Sequence, residues 1–469
     1  MKPLPDHLTL LKIINRSRGG APIMKNIRTR VFNCSAFISV MLLAMLISMP
    51  SPCPAEGPAA VKLSLQEGLM TATQDSRVIR IATYSREMAS QDVNLAISRY
   101  FPSLDANAGY TMLAYQPGAI FGPNKVPTSN KDFPSYGINF YQTVFDFFAR
   151  ESLYKASRES LELSEKDIFR IRNLVALDFI NAYFTLLESD RLLTVSQDEV
   201  EALESHTKMA QDMFDAGTIT KNDLLQAEVK LSDARQRLLT LRNQRTFFSA
   251  TINKILTRPL TQEIIPVETA EETPPVPVLH LAWDTALLRR PEILISDHNL
   301  RINELRESAK KADFFPSLFT QGGYNYTRNQ YVTHEDNWSV LFGLKFNLFN
   351  GGATKAELSK LRIRTEQIRE ERNKLIDDVR LEVERYYLDE KSARDNLTAT
   401  REAIRQAEEN LRINKVRYEE GVGTATDVLD AISLFTLAHK NYYKALYDMK
   451  RAYAGLLYAT GEDLTLAYK

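Results

Sequence analysis

FPSLDANAGY (residues 101–110) and FPSLFTQGGY (residues 315–324) are two copies of one passage, a shift of 214 positions. Each ends a polar, helix-like stretch and opens an alternating one. Further on, Val144-Phe145-Asp146 aligns with Leu348-Phe349-Asn350, now a shift of 204. That same shift pairs Val175 with Val379, Tyr183 with Tyr387, Gly217 with Gly421, and Asp223 with Asp427. The ordered series of matches marks an internal duplication. The change of register lies in the loop between two strands, longer in the first half.

Within each copy the residues alternate. Leu104, Ala106, Ala108, Tyr110, Met112 and Ala114 interleave with Asp105, Asn107, Gly109 and Thr111. Leu318, Gly322, Tyr324 and Tyr326 interleave with Ser317, Gln321, Asn325 and Thr327. Returning strands are predicted at Tyr136, Ile138 and Phe140, and along Trp338, Val340, Phe342, Leu344, Phe346 and Leu348. Period two is the mark of a strand with one apolar and one polar face. Aromatics near the strand ends suit membrane interfaces, although a half-buried soluble hairpin has the same alternation.

The rest reads as helix. From Arg150 to Ala216, and from Ala353 to Glu420, there is neither proline nor glycine, and apolar residues step by three and four. Charged residues fill the other positions, as in coiled-coil-like rods. Each rod ends at a glycine turn and restarts on a shorter helix. Thr220 and Thr424 precede Asp223 and Asp427 by three residues, the spacing of an N-cap with an acidic first turn. Between the halves, residues 254–281 hold five prolines and little periodicity, as expected of a linker or irregular collar.

The fold class is therefore mainly α with β. Long antiparallel helical hairpins carry four strands per chain. Residues 62–253 form the first repeat (helix, strand, strand, long helix, turn, helix), 254–281 the linker, 282–462 the second repeat and 463–469 the end. Four strands cannot close, since the smallest outer-membrane barrels have about eight, and open edges cannot face lipid. Two chains give eight strands with a plugged interior; three give twelve and room for a pore. The helices then continue as a tube.

Composition narrows the function. Lysine plus arginine equals aspartate plus glutamate, 59 each, so no cationic excess points to nucleic acid. The two cysteines, Cys34 and Cys53, supply neither a disulfide framework nor a four-ligand zinc site. The six histidines (His7, His206, His280, His298, His334, His439) show no paired metal spacing. No phosphate-cradling glycine loop is present. Neither catalytic residues, cofactor nor metal is expected, and the chain does not read as an enzyme.

Val31 to Met49 is strongly apolar, follows Lys25, Arg28 and Arg30, and exits at Pro50 into a small, proline-rich stretch. These are the parts of a secretory leader, residues 1–55. An uncleaved anchor helix is the alternative. Cys53 raises a lipid anchor, against which Pro50, Ser51 and Pro52 speak. Met24 just ahead of the basic cluster leaves the start codon open.

The twin FPSL strand entries, Phe349-Asn350-Gly351-Gly352 at the strand-to-helix junction, and RYEEGVGTATDVLDA (Arg417 to Ala431) resemble the TolC family of outer-membrane efflux proteins. The resemblance covers about residues 62–466. It implies a homotrimer in the bacterial outer membrane, with a twelve-stranded transmembrane β-barrel and an α-helical barrel across the periplasm. A periplasmic adaptor and an inner-membrane pump or ATPase are the implied partners, in tripartite efflux or type I secretion. Asp427 and Asp430 fall on the family's acidic gate ring, with Asp223 and Tyr418 matching an aspartate and a tyrosine of its closing network. The family's arginine two residues past the tip glycine is Gly423 here, so that part of the latch is missing. Gly217, Thr218, Gly421 and Gly423 stand as adaptor-facing tips. Threefold crowding of Asp427 and Asp430 is expected to raise their pKa values. A trimeric surface adhesin would also combine coiled coil with four strands per chain, but with contiguous C-terminal strands and no duplication. A soluble coiled-coil scaffold leaves the Trp338–Leu348 apolar stripe unexplained.

Overall fold

A computed structural model describes residues 60–270 and 274–468. The leader, Cys34 and Cys53 lie outside the described residues. In chain order the first half runs β1 (Val61–Leu63), α1 (Leu65–Asp75), α2 (Arg77–Ser98), β2 (Ser103–Met112), β3 (Gly118–Phe121), β4 (Asn124–Pro127), β5 (Asp132–Phe145), α3 (Ala149–Asp215) and α4 (Lys221–Ile255). After β6 (Ile264–Pro266) the second half runs α5 (Leu279–Arg289), α6 (Pro291–Lys311), β7 (Ser317–Thr327), β8 (Asp336–Lys345), α7 (Ala353–Glu419), α8 (Ala425–Ala459) and α9 (Leu464–Ala467).

The two rods, α3 and α7, have 67 residues each, which is about 100 Å at 1.5 Å per residue. Nothing in either segment breaks a helix, so hydrogen bonding propagates without interruption. Both rods start from the same backbone device. Phe147 and Phe148 have φ of 49° and 66°, and their equivalents Gly351 and Gly352 have 67° and 85°. A left-handed phenylalanine costs roughly 1–2 kcal/mol. Phe147 offsets this by stacking on Phe315 at 4.7 Å and packing on Phe145 at 5.0 Å.

One antiparallel sheet takes the order β2-β5-β7-β8, which places the two predicted strand pairs side by side. Its register confirms the alternation. Ala106 pairs with Ile138, Ile138 with Tyr324, and Tyr324 with Trp338, all on one face. Asp105, Asn139, Gly323 and Ser339 follow one another on the opposite face. There, side-chain amides run across the strands: Asn139 Nδ2 donates to Asn107 Oδ1 (3.2 Å) and Asn325 Nδ2 to Asn139 Oδ1 (3.1 Å). Gly137 and Gly323 make the room, because a Cβ at either would meet the neighbouring asparagine Oδ1 at 2.2 and 2.4 Å. The apolar face is uncovered: Leu104, Trp338 and Phe342 are 72%, 75% and 79% exposed. Strand β8 stops at Lys345, short of the predicted end at Leu348, and β2 stops at Met112 rather than Ala114. Phe346 and Leu348 fall outside the ladder because the turn into α7 begins there and β7 offers partners only down to Ser317. The longer first inter-strand loop holds the β3–β4 hairpin.

The main core sits midway along the rods. Strand β6, inside the proline-rich segment, pairs in parallel with β1. Phe179, Ile180 and Tyr183 of α3 bury against this pair together with Tyr447 of α8. The Tyr183 hydroxyl donates to the Val267 carbonyl (2.7 Å) and accepts from the Val267 N–H (3.0 Å). Buried Lys450 donates to the Thr269 hydroxyl and the Ala270 carbonyl, each at 2.7 Å. The segment between the halves is thus a collar strapped to the rods. No helix among the described residues is long and apolar enough to cross a membrane.

Candidate functional site at the hairpin tips

Both rods end in the same turn. Gly217 N–H donates to Phe214 O and Thr218 N–H to Met213 O; Gly421 N–H donates to Tyr418 O and Val422 N–H to Arg417 O. This pair of bonds reaches back to carbonyls that the helix leaves unpaired. It requires a left-handed residue, and Gly217 and Gly421 supply it with φ of 72° and 71°. A Cβ on either would meet nothing within 4 Å, so these two glycines are bare, outward points of the molecule. Thr218 is exposed as well. Gly423 differs. Its missing side chain would sit 3.0 Å from the Tyr418 backbone nitrogen and 3.1 Å from Arg417 Cβ, so the turn folds onto the end of α7 and leaves little space for an arginine.

The second helices restart through capping boxes. Thr220 Oγ1 accepts from Asp223 N–H while the Asp223 carboxylate accepts from Thr220 N–H, and Thr424 and Asp427 do the same. Hydrogen bonds from the Thr424 hydroxyl and N–H hold the Asp427 carboxyl below its ordinary range, helped by Arg417. Within one chain the capping box sets this direction; the crowding expected of three copies is a separate effect. Asp430, one turn further along α8, is exposed, and its carboxylate engages no other group among the described residues.

Tyr418 is buried, 3% exposed, in a cluster that draws on all four hairpin helices: Leu203 of α3, Leu231 of α4, Leu411 of α7 and Val428 of α8. Burial, and then the negative charge of Asp223, push its hydroxyl above the ordinary tyrosine value. The fold thus brings Tyr418 of the second half to Asp223 of the first. Asp427 and Asp430 stay outside this cluster on the exposed face of α8. The tip also contains a residue that no motif in the sequence singles out. His206 of α3 is 5% exposed and packs on Tyr418 with ring centroids 5.2 Å apart and the planes tilted by 49°. Leu203, Met209 and Ala210 at helical spacing mark the buried face it belongs to.

Far up the rods, the fold also joins residues that no spacing in the sequence connects. Glu159 and Glu162 of α3 and His298 of α6 offer ligand atoms within 4.8 Å of one another, the one such group among the described residues. His298 Nδ1 lies 2.7 Å from Glu159 Oε2, and Arg301 Nη1 approaches the same oxygen to 3.9 Å. The carboxylate is already engaged, and the arrangement serves as a clamp between helices.

Taken together, the tips present a polar, acidic rim on a packed apolar knot, about 100 Å of helix away from a sheet with one greasy face. Known proteins share this plan. Residues 69–258 and 282–462 match the family model described as "Outer membrane efflux protein", one matched stretch for each half. The outer membrane efflux protein BepC of Brucella suis biovar 1 is 23% identical over 422 residues, covering 86% of this chain and 87% of that protein. Among solved structures, the CmeC outer membrane channel of Campylobacter jejuni superposes with a TM-score of 0.75 at 16% identity, covering 86% of this chain and 88% of that one. The outer membrane protein VceC of Vibrio cholerae gives 0.73 at 16% identity, covering 85% and 96%. The duplicated hairpins, the four-stranded sheet and a family match across both halves place the chain in the outer membrane efflux protein family.

Proposed function

We propose that three copies of this chain form the exit duct of a tripartite efflux or type I secretion system. Each copy contributes four strands to a twelve-stranded barrel in the outer membrane and two helical hairpins to a periplasmic tube. A leader, residues 1–55, directs export; residues 62–253 and 282–462 act as the two structural repeats, joined by the collar at 254–281, and 463–469 close the chain. One observation carries the reading: β2 and β8 each have a bare edge in the single chain, while the face bearing Leu104, Trp338 and Phe342 is apolar and exposed. Bare edges cannot stand in lipid, and strands of 10–14 residues fit a span of about 9–11 tilted residues. Pairing β8 of one copy with β2 of the next removes both edges at once.

The tube's far end then meets its partners. A periplasmic adaptor, with an inner-membrane pump or ATPase behind it, docks on Gly217, Thr218, Gly421 and Gly423. Asp427 and Asp430 ring the entrance, and Tyr418 with Asp223 holds the hairpins inward. The chain works as a passive conduit; energy and chemistry belong to the pump. The test is a deletion strain complemented with the full gene, scored for drug, dye and polypeptide export, beside native mass measurement of the purified protein. A monomer stable in membranes, or export unaffected by the deletion, overturns the reading.

A further inference from the structure

We propose that His206 is a positioning residue of the periplasmic gate: uncharged, it holds the second hairpin to the first through the Tyr418 ring, and charged, it releases it. This rests on the reading of the tips as a gate. The contact joins the two halves of one chain. His206 lies near the end of α3 and Tyr418 in the last turn of α7. Both side chains are more than nine-tenths buried, and among the described residues neither His206 Nε2 nor the Tyr418 hydroxyl has a hydrogen-bond partner. Two orphaned polar atoms in one apolar contact are costly and make it the weakest point of an otherwise apolar cluster. The duplication does not repeat it: the shift of 204 places Asn410 opposite His206 and Phe214 opposite Tyr418, a polar and an apolar residue that carry no ring pair.

Charge settles what a proton does there. Two ionisable groups bear on the pair. Lys415 of α7 faces His206, and Asp223 of α4 faces Tyr418. Burial first, and Lys415 second, hold the imidazole below its ordinary value. The closed contact therefore favours neutral histidine, whereas an exposed imidazole takes up a proton near its reference value of about 6.5. Above that value the contact is intact. As pH falls below it, the opened form binds the proton better and gains population. An imidazolium there is buried and meets the positive charge of Lys415, and moving α3 and the end of α7 apart relieves both. Separation of those two helices is a loosening of the tip.

The experiment uses the purified full-length protein. Amide hydrogen exchange across residues 411–420, corrected for the intrinsic pH dependence of exchange, is measured at about pH 7.5 and about pH 5.5, beside conductance in planar bilayers with the periplasmic side acidified. In wild type, acid speeds exchange roughly tenfold and raises conductance. His206→Phe, which keeps a packed ring without a titrating nitrogen, stays slow and closed at both pH values. His206→Ala is fast and open at both. An unchanged acid response in His206→Phe, or none in wild type, overturns the proposal. Exchange that responds while conductance does not removes the gate beneath it and leaves the contact standing, so the two failures are told apart.

Discussion

Thr424 and Asp427 share a capping box, whereas the Asp430 side chain, one turn away, has no partner among the described residues. The two acids can therefore be separated. Replacing Asp430 by alanine removes charge from the entrance and disturbs no hydrogen bond. The expected result is a smaller cation preference and weaker block by divalent cations in planar bilayers, with an unchanged melting point. Replacing both acids should abolish selectivity and block; wild-type behaviour in the double variant moves the entrance elsewhere. The pH dependence follows from the cap. Because Thr424 depresses the Asp427 carboxyl, the cap's contribution is complete above the ordinary aspartate value, about 3.9, and fades only as pH falls through the lower folded value. Cation preference should accordingly persist below the normal aspartate range. At the collar, Tyr183→Phe removes the buried hydroxyl that donates to the Leu63 and Val267 carbonyls, while the Val267 N–H keeps its bond to the Leu63 carbonyl. A loss of about 1–3 kcal/mol follows, read as a lower denaturation midpoint.

At the scale of elements, the hairpin turns are rigid and bare at once. Gly217 and Gly421 hold left-handed backbone with open space around the missing Cβ. A bulky residue at both positions strains the turn by roughly 1–2 kcal/mol each and covers the surface a partner reaches first. Export, followed by accumulation of a pumped dye, should fail while assembly and membrane insertion survive. Unimpaired export relocates the docking surface. The sheet is less forgiving. A Cβ at Gly323 would lie 2.3 Å from the Ile138 carbonyl, within the β5–β7 ladder that joins the two halves. Gly323→Val should separate the strand pairs and block membrane insertion, measured as loss of protein from the outer-membrane fraction.

Among the described residues of one copy the sheet is left open. One four-stranded sheet with two bare edges and an uncovered apolar face must find further copies before it can rest in lipid. A heat-labile trimer is expected in the outer-membrane fraction, running slowly on an unheated gel and at monomer mass after boiling. A single chain surviving in membranes would contradict the pairing of β8 with a neighbour's β2.

Most of the architecture follows from local rules. Period-two alternation, long runs without proline or glycine, and the recurrence of FPSL and of the tip glycines are written along the chain, and helices and strands answer to neighbours a few residues away. The capping boxes were legible for the same reason: Thr220 and Asp223, like Thr424 and Asp427, are three residues apart. What lay beyond reach depended on contacts between the halves. His206 shows no paired spacing in the sequence, and its partner Tyr418 belongs to the other repeat. Asn139 and Asn325 meet across β5 and β7, and His298 meets Glu159 across two helices. Long-range packing also turned the proline-rich segment into a collar, because β1 and Lys450, remote in sequence, supply its hydrogen bonds. The repeat and its elements are short-range properties of the chain; which side chains from opposite halves share one buried site depends on the packed fold, since burial there costs polar groups their water and makes each depend on the partner the fold provides.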